Sequence, residues 1–154
     1  MPSYYVMEFP DWVNVVAVTD DGQMIMVDQY RHAGAADFLE IPGGSTHGPK
    51  EDPRLAGERE LLEETGYRAR EWISCGFHYP NPALQTNRMH TYLAVGCQKV
   101  QEPQLDPFED LSVRLLPVQD VLARLHRGEI KHSLIAASLT LAVNELKKRF
   151  THLF

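Results

Sequence analysis

The stretch RELLEETGY, residues 59–67, places three glutamates on one face of a predicted helix. Glu60, Glu63 and Glu64 are spaced i, i+3 and i+4, so they fall within an arc of about 100° around the helix axis. Like charges at this spacing repel, and each pair costs an isolated helix about 0.2–0.5 kcal/mol. The cluster is unfavourable unless a cation lies against it, and it therefore predicts a cation at this face.

Both ends of this helix are marked in the sequence. Proline suits the first helical position and glycine commonly follows the last one, so the helix should run from Pro53 to Thr65, with Gly66 after it. Leu55 and Leu62 share a face roughly opposite the glutamates. We therefore expect the leucine face to pack on a sheet and the acidic face to point outward.

Apolar and β-branched runs on both sides of the helix predict a sheet. Residues 12–18, WVNVVAV, are followed by a TDDG turn and by QMIMVDQY, which together predict a β-hairpin. Further strands are predicted at 38–42, 71–78, 89–96 and 112–117, and further helices at 118–128 and 133–149. This order predicts an α/β fold, an α/β/α sandwich with helices on both faces of a mixed β-sheet.

The composition indicates a single soluble domain covering residues 1–154, with 44% apolar residues for a core. The net charge of 15 − 21 = −6 argues against nucleic acid or an anionic membrane as a partner. No stretch of 18 apolar residues or signal-peptide pattern occurs. Cys75 and Cys97 are far apart and show no CxxC pairing, which is typical of a reduced, cytoplasmic protein.

The acidic helix and the loop before it suggest a metal site. Carboxylates on a rigid helix, beside the flexible backbone of Gly43 and Gly44, are hard oxygen ligands of the kind that Mg²⁺ or Mn²⁺ prefers. Such ions often complete their coordination with substrate phosphates. Arg59 lies next to the acidic face and can orient Glu63 through an ion pair.

These residues also carry a family resemblance. Glu51, seven further residues and then RELLEETGY resemble the Nudix box, in which a glycine, five residues, a glutamate, seven residues and RE(apolar)xEExG(apolar) follow one another. The predicted strand order is similar to the Nudix fold across the rest of the chain. One position departs from the pattern, because the leading glycine falls on Ser45, or on Gly44 if the loop carries one inserted residue.

The resemblance implies a magnesium- or manganese-dependent hydrolase of a nucleoside diphosphate linked to another group. Glu60 and Glu64 are the first choices as metal ligands, and Glu63 is a further ligand or the group that orients the attacking water. A backbone carbonyl near Gly44 would complete the metal site. Arg59 joins Glu63 and Glu64 in the implied catalytic set.

The substrate branch rests on a second resemblance. VDQYRHAG followed by FLEIPGG is similar to the segment before the box in ADP-ribose pyrophosphatases, as are Pro80 and Pro82 after it. ADP-ribose, giving AMP and ribose 5-phosphate, is therefore the first substrate hypothesis. Arg31 would contact a substrate phosphate through its bidentate fork. Glu51 is assigned to the substrate side of the site or to support of the loop and helix through Arg59.

Several alternatives stay open at this level. Nucleoside triphosphates, dinucleoside polyphosphates and GDP-sugars are other possible substrates, and a non-catalytic nucleotide-binding module is the rival from another class. Glu109 and Asp110 are default candidates for the general base, with loop solubilisation as the competing interpretation. The resemblance also implies a homodimer that pairs through N-terminal sheets.

Aromatic residues and histidines carry weaker signals. Four N-terminal aromatics could stack on a base, although strand-like spacing more often marks packing residues: Tyr4, Tyr5, Phe9 and Trp12. No histidine has the spacing of a zinc pair, and none is assigned a role. His47 lies in the loop nearest the predicted phosphates.

Overall fold

A computed structural model describes residues 3–105 and 110–151 of the chain. The strands are β1 (Trp12–Val18), β2 (Gln23–Arg31), β3 (Ala36–Glu40), β4 (Gly43–Ser45), β5 (Tyr67–Arg68), β6 (Glu71–His78), β7 (Met89–Val95), β8 (Gln98–Lys99) and β9 (Leu111–Pro117). The helices are α1 (Pro53–Thr65), α2 (Val118–His126) and α3 (Ser133–Arg149).

One large sheet organises the molecule. Its strand order is β3-β2-β1-β7-β6, with β4 also paired to β1 and β9 also paired to β2. Strands β1 and β7 run parallel and the other pairs in this sheet are antiparallel, so the predicted mixed sheet is confirmed. The predicted hairpin of β1 and β2 is also present, with Ala17 opposite Ile25.

The alternation of side chains along β1 builds two cores. Val13 and Val15 point to one face, where they are buried with Leu61 of helix α1. Val16 and Val18 point to the other face and are buried with residues of α2 and α3. Successive side chains of a strand point to opposite faces, so one apolar strand can hold helices on both sides. The predicted α/β/α sandwich is confirmed.

Helix α1 has the predicted bounds, but the predicted orientation of its faces is wrong. Leu55 is 49% exposed and does not form the contact with the sheet. A Cβ atom on Gly57 would lie 3.2 Å from the Cγ2 atoms of both Val13 and Val15, so the helix approaches the sheet at its small residues. The buried residues of the helix are Ala56, Gly57, Leu61, Glu64 and Thr65. One glutamate of the cluster is therefore turned inward.

Three short strands were not predicted. Strand β4 falls in the segment expected to be a loop, and β5 and β8 form a separate two-stranded ladder. The predicted loop of residues 98–111 begins with β8, and its residues 106–109 lie outside the described ranges. Cys75 and Cys97 are free thiols. Among the helices that the structure describes, none is long and apolar enough to cross a membrane.

Candidate active site

Helix α1 holds its glutamates at a fixed spacing because both of its ends are capped. The Asp52 side chain accepts a hydrogen bond from the Arg54 backbone N–H at 2.8 Å. At the other end Gly66 has a left-handed backbone with φ of 77°, and its N–H donates to the Leu62 carbonyl. The cluster is thus carried by a helix that has little freedom to fray at either end.

Strand β4 runs along the acidic face and contacts two of the carboxylates. The Gly43 backbone N–H donates to Glu64 Oε2 at 2.9 Å, and Glu64 is only 4% exposed. A Cβ atom on Gly44 would lie 2.4 Å from Glu60 Oε1, which is closer than real Cβ atoms approach an oxygen. Glycine at position 44 is therefore what lets the Glu60 carboxylate lie against the strand.

The cation that the repelling glutamates require is supplied within the chain by Arg59. Its Nη1 lies 2.8 Å from Glu60 Oε1 and 3.1 Å from Glu63 Oε2. Its Nη2 donates to the Ser45 carbonyl at 3.0 Å, and its Nε lies 3.6 Å from Glu51 Oε1. Burial opposes the charge, but Glu60 and Glu63 outweigh it and raise the pKa of the guanidinium.

Glu51 joins the loop before α1 to this network. Its carboxylate accepts a hydrogen bond from the His47 backbone N–H. That bond lowers the pKa of the Glu51 carboxyl below its ordinary value, desolvation opposes the shift, and the charge of Arg59 reinforces it. These contacts suit the support of the loop and helix that the sequence suggests as one role for Glu51.

The three glutamates of helix α1 line one cleft of about 490 Å³, which we call the acidic cleft. Its lining combines the glutamates with basic and amide side chains: Glu60, Glu63, Glu64, Arg59, Arg31, Gln29 and Gln104. The glutamates differ in access, because the side chain of Glu60 is 13% exposed and that of Glu63 is 46% exposed. Glu51 is not part of this lining.

The donor set fits a hard divalent ion, since carboxylate oxygens are the ligands that Mg²⁺ and Mn²⁺ prefer. Within residues 3–105 and 110–151, however, no three acidic, histidine or cysteine side chains are gathered closely enough to hold a metal ion. The guanidinium of Arg59 instead holds one oxygen of Glu60 and one of Glu63. The cleft therefore has the ligands of a metal site with an internal cation among them.

Arg31 lies at the edge of the acidic cleft and is fixed by a residue that sequence reasoning missed. Its Nε and Nη2 donate to the two carboxylate oxygens of Glu40 at 2.9 and 2.7 Å. Glu40 is only 2% exposed, so the pair is anchored in the interior. The signal was available, since Glu40 is the acidic residue of the FLEIP segment that follows the QYR triplet.

The remaining predicted residues lie elsewhere. Asp110 is exposed just before β9 and does not line the acidic cleft, and Glu109 lies outside the described residues. Ser45, at the position of the leading glycine of the Nudix pattern, is exposed, so its side chain meets no obstacle. Sequence reasoning also missed His132, which lines a neighbouring cavity. No local pattern marks it, because it belongs to the distant start of α3.

Comparison with known proteins gives this arrangement a family. The family model of the NUDIX domain matches residues 9–137, well over half of the chain. The chain belongs to the Nudix family and is a Nudix hydrolase. Hydrolases of this family act on nucleotide substrates and generally use a divalent metal ion.

Individual relatives are similar along most of the chain. The ADP-ribose pyrophosphatase of Mycobacterium tuberculosis is 33% identical over 146 residues, which cover 94% of this chain and 70% of the relative. The ADP-ribose pyrophosphatase of Bacillus subtilis is 32% identical over 126 residues, covering 81% of this chain and 68% of the relative. The methanol dehydrogenase activator of Bacillus methanolicus is 34% identical over 131 residues, covering 83% and 69%.

A solved structure described as the crystal structure of an ADP compounds hydrolase has the same fold. It superposes with a TM-score of 0.79 and 21% sequence identity, covering 91% of this chain and 74% of the other. At this identity the likeness concerns the fold, and it agrees with the sandwich described above.

Proposed function

We propose that the protein is a divalent-metal-dependent hydrolase that cleaves the pyrophosphate bond of a nucleoside diphosphate linked to another group. ADP-ribose, cleaved to AMP and ribose 5-phosphate, is the substrate we place first. The observation that carries the proposal is the convergence of Glu60, Glu63 and Glu64 on one cleft, against a glycine strand that leaves room for their carboxylates.

Two observations support an ADP-sugar as the substrate. Two of the relatives are named ADP-ribose pyrophosphatases, at 33% and 32% identity over most of this chain. Arg31 and Glu40, from the two segments that resemble that group, form one ion pair at the edge of the acidic cleft. A relative of similar identity, 34%, has a different name, so the assay must span other nucleotides as well.

We assign a role to each of the three carboxylates from its exposure to solvent. Glu60 and Glu64 are seated against β4 and would hold Mg²⁺ or Mn²⁺, with the carbonyl of Gly44 and with Glu63 as a further ligand. When bound, such an ion stabilises charge on phosphate oxygens and lowers the pKa of coordinated water. Glu63 has the most exposed carboxylate of the three, and we assign it either to the metal ion as a further ligand or to the orientation of the attacking water.

Arginines supply the positive charge that the chain itself contributes. Arg59 would share the oxygens of Glu60 and Glu63 with a divalent ion while staying anchored by the Ser45 carbonyl. Arg31 is held by the buried Glu40 and lines the acidic cleft, and we assign it to contact with a substrate phosphate. We assign Glu51 to the support of the loop through Arg59 and His47, so that it acts on the substrate side of the site only indirectly.

We also propose a homodimer formed through the N-terminal segment. Tyr4, Tyr5 and Val6 are all exposed, and the segment lies along the loop after β6, with the Met7 N–H donating to the Leu84 carbonyl at 2.8 Å. Contiguous exposed aromatic surface of this kind commonly marks an interface. Light scattering should give a dimer mass for the wild type and a monomer mass for the double variant Tyr4→Ser/Tyr5→Ser, and a wild-type monomer would contradict the proposal.

The function is tested by a product assay on ADP-ribose, GDP-mannose, a diadenosine polyphosphate and nucleoside triphosphates, with and without Mg²⁺. We expect AMP and ribose 5-phosphate from ADP-ribose, formed only with the metal ion and lost in Glu60→Gln. Folding of each sample is checked by circular dichroism. The cytoplasmic location and the single domain of residues 1–154 stay predictions.

The other outcomes separate the alternatives. Release of pyrophosphate or phosphate from a triphosphate, with no turnover of ADP-ribose, would move the proposal to the triphosphate branch. A folded protein that binds a nucleotide and hydrolyses none of the panel with Mg²⁺ or Mn²⁺ would establish the binding-module alternative.

A further inference from the structure

Helix α1 borders a second hollow on the face turned away from the acidic cleft. At 100° per residue, Glu58 and Leu62 lie on the opposite side of the helix from Glu60. The space between this face and residues 68–72 has a volume of about 510 Å³, and we call it the outer hollow. Of the residues that the structure describes, Arg59 alone lines both the outer hollow and the acidic cleft, so the two are separate sites.

The outer hollow is rich in positive charge although the chain is acidic. Within the described residues its lining holds four arginines and a single acidic side chain, Glu58, whereas the whole chain has a net charge of −6. Arg70 donates two hydrogen bonds to Asp20, at 2.8 and 3.0 Å, and Arg54 donates one to Glu58. The guanidinium of Arg59 is engaged in the acidic cleft. Three of the four arginines therefore already have carboxylate partners.

The fourth arginine, Arg68, supplies the charge that is not compensated. It is exposed on strand β5, and across residues 3–105 and 110–151 its guanidinium forms no ion pair or hydrogen bond. A guanidinium presents its N–H donors in a planar fork, which binds a phosphate through two hydrogen bonds at once. Arg68 is therefore the group in this hollow that is best suited to an anion.

Apolar side chains complete the lining of the outer hollow. Leu55 is 49% exposed there, and the indole of Trp72 is only partly buried. The Trp72 ring meets Tyr92 at a centroid distance of 6.3 Å and an angle of 67°, and a Cβ atom on Gly57 would lie 3.4 Å from its Cζ3 atom. The ring is thus fixed by packing while part of it stays accessible. A fixed aromatic surface beside charged groups is typical of small-molecule sites.

We propose that the outer hollow binds a small organic phosphate, with the phosphate on Arg68 and an apolar or aromatic group against Trp72 and Leu55. Arg54 and Arg70 line the same space and add positive charge around the phosphate. A phosphate monoester carries up to two negative charges and three terminal oxygens, so it can accept hydrogen bonds from more than one arginine. The volume lies within the range of about 300–1,000 Å³ found for small-molecule sites.

This site goes beyond the proposed hydrolysis and does not depend on it. Hydrolysis is assigned to the carboxylates of the acidic cleft with a divalent ion, whereas the outer hollow offers guanidinium groups that need no metal ion to bind a phosphate. Binding in the absence of divalent ions therefore distinguishes the two sites.

Trp72 provides a direct probe, because the chain has two tryptophans and the other, Trp12, does not line the outer hollow. We would titrate phenyl phosphate into the Trp12→Phe protein in the presence of EDTA and follow the fluorescence of Trp72. Phenyl phosphate should change the emission with a saturable dependence on its concentration. Glycerol 2-phosphate, which lacks the ring, should bind more weakly, and phenol, which lacks the charge, should give no response over the same range.

Matched variants in the Trp12→Phe background test the role of Arg68. Arg68→Gln should weaken the binding of phenyl phosphate about five- to tenfold, as expected for a partly exposed contact between charged groups. Arg68→Lys keeps the charge without the planar fork and should lose less affinity. Arg127→Gln makes the same charge change at an exposed position at the end of α2 and should leave binding unchanged. Thermal unfolding shows whether each variant is folded at the temperature of the titration.

Several results would overturn the assignment of the outer hollow. One is the absence of a saturable response of Trp72 to phenyl phosphate in the folded protein. Equal affinities of Arg68→Gln and Arg127→Gln would show that Arg68 does not bind the phosphate. A response to phenol as strong as that to phenyl phosphate would show that the hollow binds the ring alone. None of these results bears on the proposed hydrolase, which is measured separately with nucleotides and Mg²⁺.

Discussion

Two neighbouring hollows share the residues of strand β4 and differ in their lining: the acidic cleft, and a cavity of about 400 Å³ that we call the apolar cavity. The acidic cleft gathers charges, with Glu60, Glu63 and Glu64 around Arg59, whereas the apolar cavity is walled mainly by aromatic and aliphatic side chains. In the cleft an arginine within the chain compensates like-charge repulsion. In the cavity Asn14 bonds to Ser138, and Arg31 and Glu40 form an ion pair. The acidic cleft therefore carries the charged side chains on which the proposed chemistry depends, whereas the apolar cavity offers mainly apolar contact.

The two glycines of β4 allow this strand to pack closely against its neighbours. A Cβ atom on Gly43 would lie 2.2 Å from the Val13 carbonyl oxygen, while one on Gly44 would lie 2.4 Å from Glu60 Oε1. Each glycine therefore permits a close approach, one to strand β1 and one to helix α1. With larger side chains at these positions, the three-residue strand β4 could not lie so close to both β1 and α1.

The largest effect should come from the buried carboxylate of the acidic cleft. Glu64→Gln removes a charge that is proposed to bind the metal ion, and we expect kcat for ADP-ribose to fall more than about 100-fold, beyond the usual cost of losing an outer-shell group. Binding of AMP, measured by calorimetry, should change far less. Glu58→Gln is the control, because Glu58 lies on the same helix and pairs with Arg54 outside the cleft.

If Glu64→Gln kept activity within a factor of a few of the wild type, the assignment of metal binding to the acidic cleft would be wrong.

Gly44→Ala should have the next largest effect. The added methyl group overlaps the Glu60 carboxylate, so Glu60 or β4 must move, and we expect about a 10- to 100-fold loss of activity, comparable to loss of a supporting group at a metal site. Ser45→Ala, at the exposed neighbouring position, should retain activity. The measurement is kcat/KM at saturating Mg²⁺. Equal activities of the two variants would show that the close approach of Gly44 to Glu60 is unimportant.

Arg59→Met tests the internal cation. Loss of the charged hydrogen bonds to Glu60 and Glu63 should lower the free energy of unfolding by about 1.5–3 kcal/mol in the absence of divalent ions. Added Mg²⁺ should stabilise the variant more than the wild type, because no arginine competes for the carboxylates.

Urea unfolding with and without Mg²⁺ gives both quantities for Arg59→Met. Arg54→Met serves as the control, since Arg54 pairs with Glu58 on the exposed side of α1 and should cost less than about 1 kcal/mol. A smaller response of Arg59→Met to Mg²⁺ than that of the wild type would contradict the competition.

The smallest effect concerns pH and Glu51. The folded-state pKa of this carboxyl is lowered, by the His47 N–H above all and also by Arg59. Its stabilisation is therefore fully present above the unfolded pKa of about 4.3 and is lost as the pH falls through the lower folded value. Glu51→Gln should lower the unfolding midpoint at pH 7 by at most about 3 °C.

The difference between the wild type and Glu51→Gln should shrink as the pH falls below the unfolded pKa of about 4.3 and vanish once Glu51 is protonated in the folded protein, because a protonated glutamate resembles glutamine. A difference that stays constant between pH 7 and pH 3 would show that the charge of Glu51 does not stabilise the loop.

Local sequence rules predicted much of the framework. The Asp-Pro start and the glycine after Thr65 set the bounds of α1, and the alternation of apolar residues in β1 indicated a strand. The spacing of Glu60, Glu63 and Glu64 predicted a cation at their face, and Arg59 provides one. These features depend on residues within a few positions of one another, and for that reason they can be read from the chain.

The direction of the acidic face could not be predicted in this way. Helical periodicity put Leu55 and Leu62 against the sheet, but the structure packs α1 through Gly57 on Val13 and Val15. A glycine contact contributes little to an apolar pattern, yet it allows the closest approach of helix and strand. The inward turn of Glu64 follows from that approach and from the Gly43 N–H, which donates a hydrogen bond to its carboxylate.

The sequence alone determined the class of this protein, because the Nudix pattern combines helix capping, glutamate spacing and a neighbouring arginine within one short segment. Only the tertiary structure decided which groups meet: Arg31 with Glu40, Glu60 with Gly44, and His132 with Phe38. Strand pairing and helix packing bring these partners together from distant positions, and no local pattern of residues records a contact of that kind.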